Sequence, residues 1–230
     1  MRNILIAAAV VPAVWLLVKV YKEDRLERES PLLLVRLVLS GIISTLIAAF
    51  CERIGTFALG MFFDSRSLIY NLLLYFVVVG VSEEGAKYIL LKYRTWSSPE
   101  FDCTFDGVVY AVFVSMGFAL WENIGYVLSY GLTTALVRAV TAIPGHACFG
   151  VFMGVWYGAA KRSEMYGNHA LSASQRRAAV VIPVLLHGCY DFIATVDSTA
   201  YSLVFIAFVA LMFITAYRTV KRASQNDQYI

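Results

Sequence analysis

Residues 68 to 91 read L-I-Y-N-L-L-L-Y-F-V-V-V-G-V-S-E-E-G-A-K-Y-I-L-L. At a rise of ~1.5 Å per residue, an apolar helix of this length crosses the ~30 Å of a bilayer's hydrocarbon. Yet the run carries Glu83, Glu84 and Lys87. Ionisable side chains at that depth are expensive and mark a functional site by default. Lys87 follows Glu83 by four positions and Glu84 by three, so on a helix its ammonium reaches toward either carboxylate. Adjacent glutamates are ~100° apart on a helix, so one points into a site while the other pairs with Lys87. Which does which depends on helix rotation. The competing reading is a buried ion pair that only fixes helix packing.

The rest of the chain suits such a helix. Hydrophobic residues make up 60% of the 230, charged residues only 15%, and mean hydropathy is +0.69. These values exclude an ordinary soluble domain and indicate an all-α polytopic membrane protein. No polar stretch is long enough for a second core, so residues 1–230 read as one integral membrane domain. The net charge of +3 suggests no nucleic-acid surface. Cys51, Cys103, Cys148 and Cys189 form no C-x-x-C pair and read as free thiols.

Seven spans are expected. The first occupies residues 1–20 and lacks a cleavage site. A mixed-charge connector follows, and Pro31 opens a second helix over 32–50. Residues 54–63 are apolar but too short to span, and read as an interfacial or re-entrant segment, a candidate lateral gate. After 68–91 comes a polar loop to Asp106, then a helix over 107–130 with Glu122 and Asn123. The fifth helix, 133–160, is expected to kink at Pro144, beside His146. A polar loop over 161–177 holds His169, read as solvated. The sixth helix, 178–194, carries His187 with Asp191 four positions on, and the seventh covers 200–217. The polar tail, 218–230, is expected to be mobile. Lys and Arg concentrate in the odd-numbered connectors and the tail, which places the N-terminus outside and the C-terminus in the cytoplasm.

Counted along these helices, Glu83, Glu122, His146 and His187 fall ~10 to 22 Å from the cytoplasmic boundary. Helices three to six therefore share a polar layer that forms an intramembrane active site. Two histidines and a carboxylate with a spare glutamate match a catalytic zinc site. In that arrangement His146, His187 and Glu122 hold the metal and Glu83 or Glu84 is the general base. Asp191 orients His187 or itself coordinates. Cys148 and Cys189 are weaker candidates, and Arg138 reads as a residue snorkelling to the outer headgroups.

The ordered motifs S-E-E-G-A-K, F-D-C-T-F-D-G-V-V-Y, G-F-A-L-W-E-N-I-G-Y, P-G-H-A-C-F-G and H-G-C-Y-D-F, spread over about 32–192, resemble the PrsW family of intramembrane proteases. The resemblance implies a catalytic core over residues 32–195 that hydrolyses a peptide bond in or beside the membrane. Its functional positions fall on Glu83, Glu84, Glu122, His146 and His187. It further implies a zinc cofactor, a plasma-membrane location, and a single-pass partner such as an anti-sigma factor, cut at the first step of a stress response. A distant likeness to the CAAX prenyl protease superfamily implies a metal-free alternative, in which Glu83 activates water and His187 with Asp191 stabilises the oxyanion. From the residues alone, a proton- or cation-coupled transporter is the main competing class, and an inert membrane scaffold the third.

Overall fold

The computed structural model describes residues 2–230. Met1, part of the expected first helix, lies outside them. Helix α1 (Arg2–Glu23) leads into a short connector that ends at Ser30, whose hydroxyl accepts from the Leu33 N–H at 3.3 Å and caps α2 (Pro31–Phe62). Proline in the first turn lacks only a donor that has no helical partner anyway.

Helix α2 is continuous, which corrects the expected division into a span over 32–50 and a separate segment over 54–63. Cys51, Glu52 and Arg53 interrupt the hydropathy, but none of them breaks a helix. Gly55 is accommodated by close packing on Val78. At ~48 Å, α2 exceeds the ~30 Å hydrocarbon layer, an excess that tilt or protrusion absorbs.

The stretch from Leu68 to Thr95 is helical throughout, as α3 (Leu68–Leu73), a π-helical segment (Leu74–Val79) and α4 (Gly80–Thr95). In the π segment the Gly80 N–H donates to the Tyr75 carbonyl, five residues back. The extra residue rotates everything after it, including Glu83 and Glu84. Such bulges frequently accompany functional sites.

Helix α5 (Asp106–Tyr130) ends at Gly131, whose φ of 85° favours glycine. The expected kink in the fifth helix is a full break at Thr141, between α6 (Leu132–Val140) and α7 (Ala142–Met165). Pro144 thereby falls in the first turn of α7, where its missing N–H costs nothing.

The expected polar loop over 161–177 is mostly helix. Only Tyr166, Gly167 and Asn168 separate α7 from α8 (His169–Thr195). Polarity there marks helix ends outside the apolar layer, and Lys, Arg, Gln and Ser are compatible with helix. His169 is exposed, 3.6 Å from Glu164. Helix α9 (Thr199–Gln225) likewise extends past the expected boundary at 217. The tail is docked rather than loose: the Ile230 N–H donates to the Asp102 carbonyl at 2.8 Å, the Thr104 N–H donates to Gln228, and Cys103 pairs with Tyr229 in an antiparallel bridge.

Among the described residues, six helical runs are long and apolar enough to cross a membrane: Pro31–Phe62, Leu68–Thr95, Asp106–Tyr130, Leu132–Met165, His169–Thr195 and Thr199–Gln225. Helix α1 packs lengthwise on α5. α5 is the central helix, buried along most of its length against α1, α2 and α7. Small residues allow the close approaches: Gly107 meets Gly154 and Gly158, and Gly41 meets Gly117. In lipid, helix association rests on such packing rather than on apolar burial. The outer faces instead expose Phe57, Phe62, Leu136, Leu203 and Leu211, an apolar surface far beyond what a soluble monomer presents.

Candidate active site

Glu83, Glu84 and Lys87 on α4 meet His146 on α7 and His187 on α8 inside the bundle, and all five are buried. Both glutamates reach the same ammonium. Lys87 Nζ lies 2.7 Å from Glu84 Oε1 and 3.4 Å from Glu83 Oε2, and the Phe118 ring sits 4.0 Å beneath it. The two carboxylates nevertheless differ in outlook. Glu83 lines a cavity of about 350 Å³, whereas Glu84 is fully enclosed behind it.

The hydrogen-bond partners place a proton on one nitrogen of each imidazole. Lysine has only donors, so His146 Nδ1, 3.1 Å from Lys87 Nζ, must accept. Its Nε2 then carries a proton and donates to Glu122 Oε2 at 3.0 Å. His187 Nδ1 donates to Glu84 Oε1 at 2.8 Å. That leaves His187 Nε2 facing the cavity, 3.4 Å from Asp191 Oδ2 and 3.8 Å from Glu83 Oε2. Phe149 stacks on the His187 ring at 4.8 Å and holds its plane.

The same Glu122 oxygen also accepts from Arg138, whose Nη2 donates to Oε2 at 2.6 Å while its Nε donates to Asn123 Oδ1 at 2.9 Å. Asn123 in turn donates to the Ala9 carbonyl of α1 at 3.0 Å. Arg138 therefore points inward, correcting the expectation that it snorkels to the headgroups; two acceptors inside the bundle outweigh an exit to water. Cys148 is buried and Cys189 partly so, neither lines the cavity, and all four thiols are free.

Glu52 escaped the sequence reading and also lines the cavity. It lies ~32 Å along α2 from Pro31, the depth of the histidines, but ending that helix at residue 50 removed it from the comparison. Measured from the helix ends at Thr95, Asp106, Met165 and His169, Glu83, Glu122, His146 and His187 lie ~18, ~24, ~29 and ~27 Å along their helices. These lengths exceed ~10 to 22 Å because they are counted from helix ends that lie outside the apolar layer, not from the cytoplasmic boundary. The helices start or end farther out on that side than the hydropathy indicated.

These features define a polytopic membrane protein with a buried glutamate–histidine site facing an internal cavity. A profile of the PrsW family intramembrane metalloproteases matches residues 29–217, and the chain belongs to that family. It is similar to proteins named Protease PrsW. That of Oceanobacillus iheyensis is 32% identical over 222 residues, covering 96% of this chain and 97% of the relative. That of Bacillus subtilis is 32% identical over 218 residues, covering 89% and 90%. No solved structure matches. The chain is accordingly a protease of the membrane.

A family description as metalloprotease raises the question of donors. Glu83, Glu84, His146 and His187 each offer a ligand atom, all within 4.8 Å of one another. Glu84 Oε2 is buried without a hydrogen-bond partner, as a carboxylate reserved for a cation would be. Two imidazoles with carboxylates are a zinc-type set, so the residues fit. Glu122 lies outside this group of four, engaged with His146 and Arg138.

Proposed function

We propose that the chain is an intramembrane endopeptidase that cuts a single-pass membrane protein in or near its transmembrane segment, with Glu83 as general base. The observation carrying this reading is that Glu83, not Glu84, lines the cavity beside the cavity-facing Nε2 of His187. Glu83 takes a proton from a water in the cavity while that water's oxygen adds to the scissile carbonyl. The proton then passes to the departing amine. Glu84 holds Lys87 and His187 in place, and Glu122 with Arg138 holds His146. His187, protonated at Nδ1 toward Glu84 and at Nε2 beside Asp191, donates from Nε2 to the developing oxyanion.

Zinc held by His146, His187 and one or both of Glu83 and Glu84, in place of the Glu122 expected from the sequence, would lower the pKa of its water toward ~7. A metal-free reading is favoured by one observation: the Lys87 ammonium already lies 2.7 to 3.4 Å from Glu84, His146 and Glu83. Metal content of the active, detergent-purified protein, with survival of activity in chelator, separates the two readings.

Residues 32–195 form the catalytic core of a single domain over 1–230, held in the plasma membrane with the N-terminus outside. Lys22, Arg25, Arg28, Lys92, Arg94, Lys161 and Arg162 gather at the helix ends distant from the cavity, which supports a cytoplasmic side there. The cavity then lies in the outer half of the membrane, suiting a first cut on the extracytoplasmic side of an anti-sigma factor. Proteoliposomes carrying such a substrate test the proposal. Parent protein should release a fragment and Glu83→Gln should not; a collapsed proton gradient without fragments would instead indicate a transporter.

A further inference from the structure

Three carboxylates that the proteolytic reading does not use meet at the end of the bundle remote from the cavity. Asp24 and Glu29 come from the connector between α1 and α2, and Asp106 is the first residue of α5. Each offers an oxygen within 4.8 Å of the others. All three are buried, with 2%, 6% and 1% of their surface exposed. Asp106 is accounted for locally, since its Oδ2 accepts from the backbone N–H groups of Cys103 at 2.7 Å and Asp102 at 3.1 Å.

Asp24 has no such account. Neither of its oxygens has a hydrogen-bond partner, although both are buried. Among the described residues none of the three carboxylates enters an ion pair with Lys, Arg or His. Arg28, the nearest basic influence on Asp24, is exposed and lies over the Tyr21 ring. Asp227 of the tail adds another negative charge: its Oδ1 accepts from Thr104 and the Phe105 N–H, and its Oδ2 is bare. Burial, reinforced by Asp227, pushes Asp24 up to about 6, and burial pushes Glu29 up to about 7. Crowded, desolvated carboxylates without a cation respond in this way.

Helix α5 begins at Asp106, and its N-terminal dipole offsets part of this charge. It leaves Asp24 without a partner. Oxygen-only donors of this kind select hard divalent cations over zinc. We propose that Asp24, Glu29 and Asp106 bind a hard divalent cation of the Mg²⁺, Mn²⁺ or Ca²⁺ class, clamping the α1–α2 connector to the start of α5. The docked tail closes the same region, with Ser224 Oγ donating to the Glu23 carbonyl at 2.5 Å. The site is separate in position and chemistry from the glutamate–histidine cluster and does not depend on how that cluster works.

Mn²⁺ titration followed by electron paramagnetic resonance tests the proposal, using detergent-purified, chelator-treated full chain carrying His146→Ala and His187→Ala. One saturable Mn²⁺ per chain is expected, displaced by excess Mg²⁺ or Ca²⁺ and raising Tm. Adding Asp24→Asn should weaken binding by about tenfold or more. The same Asp24→Asn and Glu29→Gln comparisons in the parent background keep the test independent of the histidine variant's folding. Absence of saturable Mn²⁺ in the parent and the histidine variant, or unchanged affinity in both carboxylate variants, overturns the proposal. A carboxylate cluster neutralised by protons alone would give the first of these results, together with a Tm that divalent cations leave unmoved.

Discussion

In the cavity cluster, Glu83 and Glu84 share the Lys87 ammonium and each lies within 4 Å of His187. At the opposite end of the bundle, Asp24, Glu29 and Asp106 crowd together, and among the described residues no basic side chain pairs with them. Both groups are buried, yet among the described residues the first has its countercharge in contact and the second does not. A buried carboxylate needs a cation or a proton, and where the sequence supplies the cation it also supplies geometry. Lys87 makes His146 Nδ1 an acceptor, and Glu84 holds the proton on His187 Nδ1. The second cluster has no such internal organiser, which is why an external ion is the natural completion.

Removing the organiser should do the greatest damage. Lys87→Met leaves Glu84 facing two histidines without the ammonium, and a loss of ~3–5 kcal/mol in stability is expected. Detergent-solubilised thermal melts read it directly, and an unchanged Tm would break the contrast between the clusters. Asp106→Ala comes next, because it strands the N–H groups of Asp102 and Cys103 at a cost of ~1–3 kcal/mol. Asn123→Ala removes the links from Arg138 to the Ala9 carbonyl and should cost ~1 kcal/mol, measured in the same melts. The smallest effect belongs to Asp24→Asn in chelator, where relief of repulsion leaves Tm equal to the parent's or higher. A large fall in Tm there would mean that Asp24 has a partner in the chain after all.

The architecture was largely legible from sequence because apolar runs of bilayer length have few alternative fates. Glu83, Glu84, Lys87, His146, His187 and Glu122 stood out for the same reason: each is an expensive residue in an apolar context. Boundaries were harder to read. Hydropathy locates where a helix leaves lipid, not where it ends, so α7, α8 and α9 continue through polar residues that read as loop or tail. The same error at residue 50 concealed Glu52. The choice between Glu83 and Glu84 depended on helix rotation, and the π segment over Leu74–Val79, which sets that rotation, leaves no mark in an unbroken run of apolar residues. Asp24 and Glu29 sat in a charged connector that looks solvated until the tail and α5 are seen to cover it.

The central claim is that Glu83 faces the reacting water while Glu84 only supports its neighbours. Cleavage of a reconstituted single-pass substrate by Glu83→Gln and Glu84→Gln, each with its own melt, tests this most directly. The account predicts that Glu83→Gln keeps the parent's Tm and loses about 10²–10⁴-fold in rate, whereas Glu84→Gln lowers Tm along with activity. Cleavage at the parent's rate by a folded Glu83→Gln protein would contradict it.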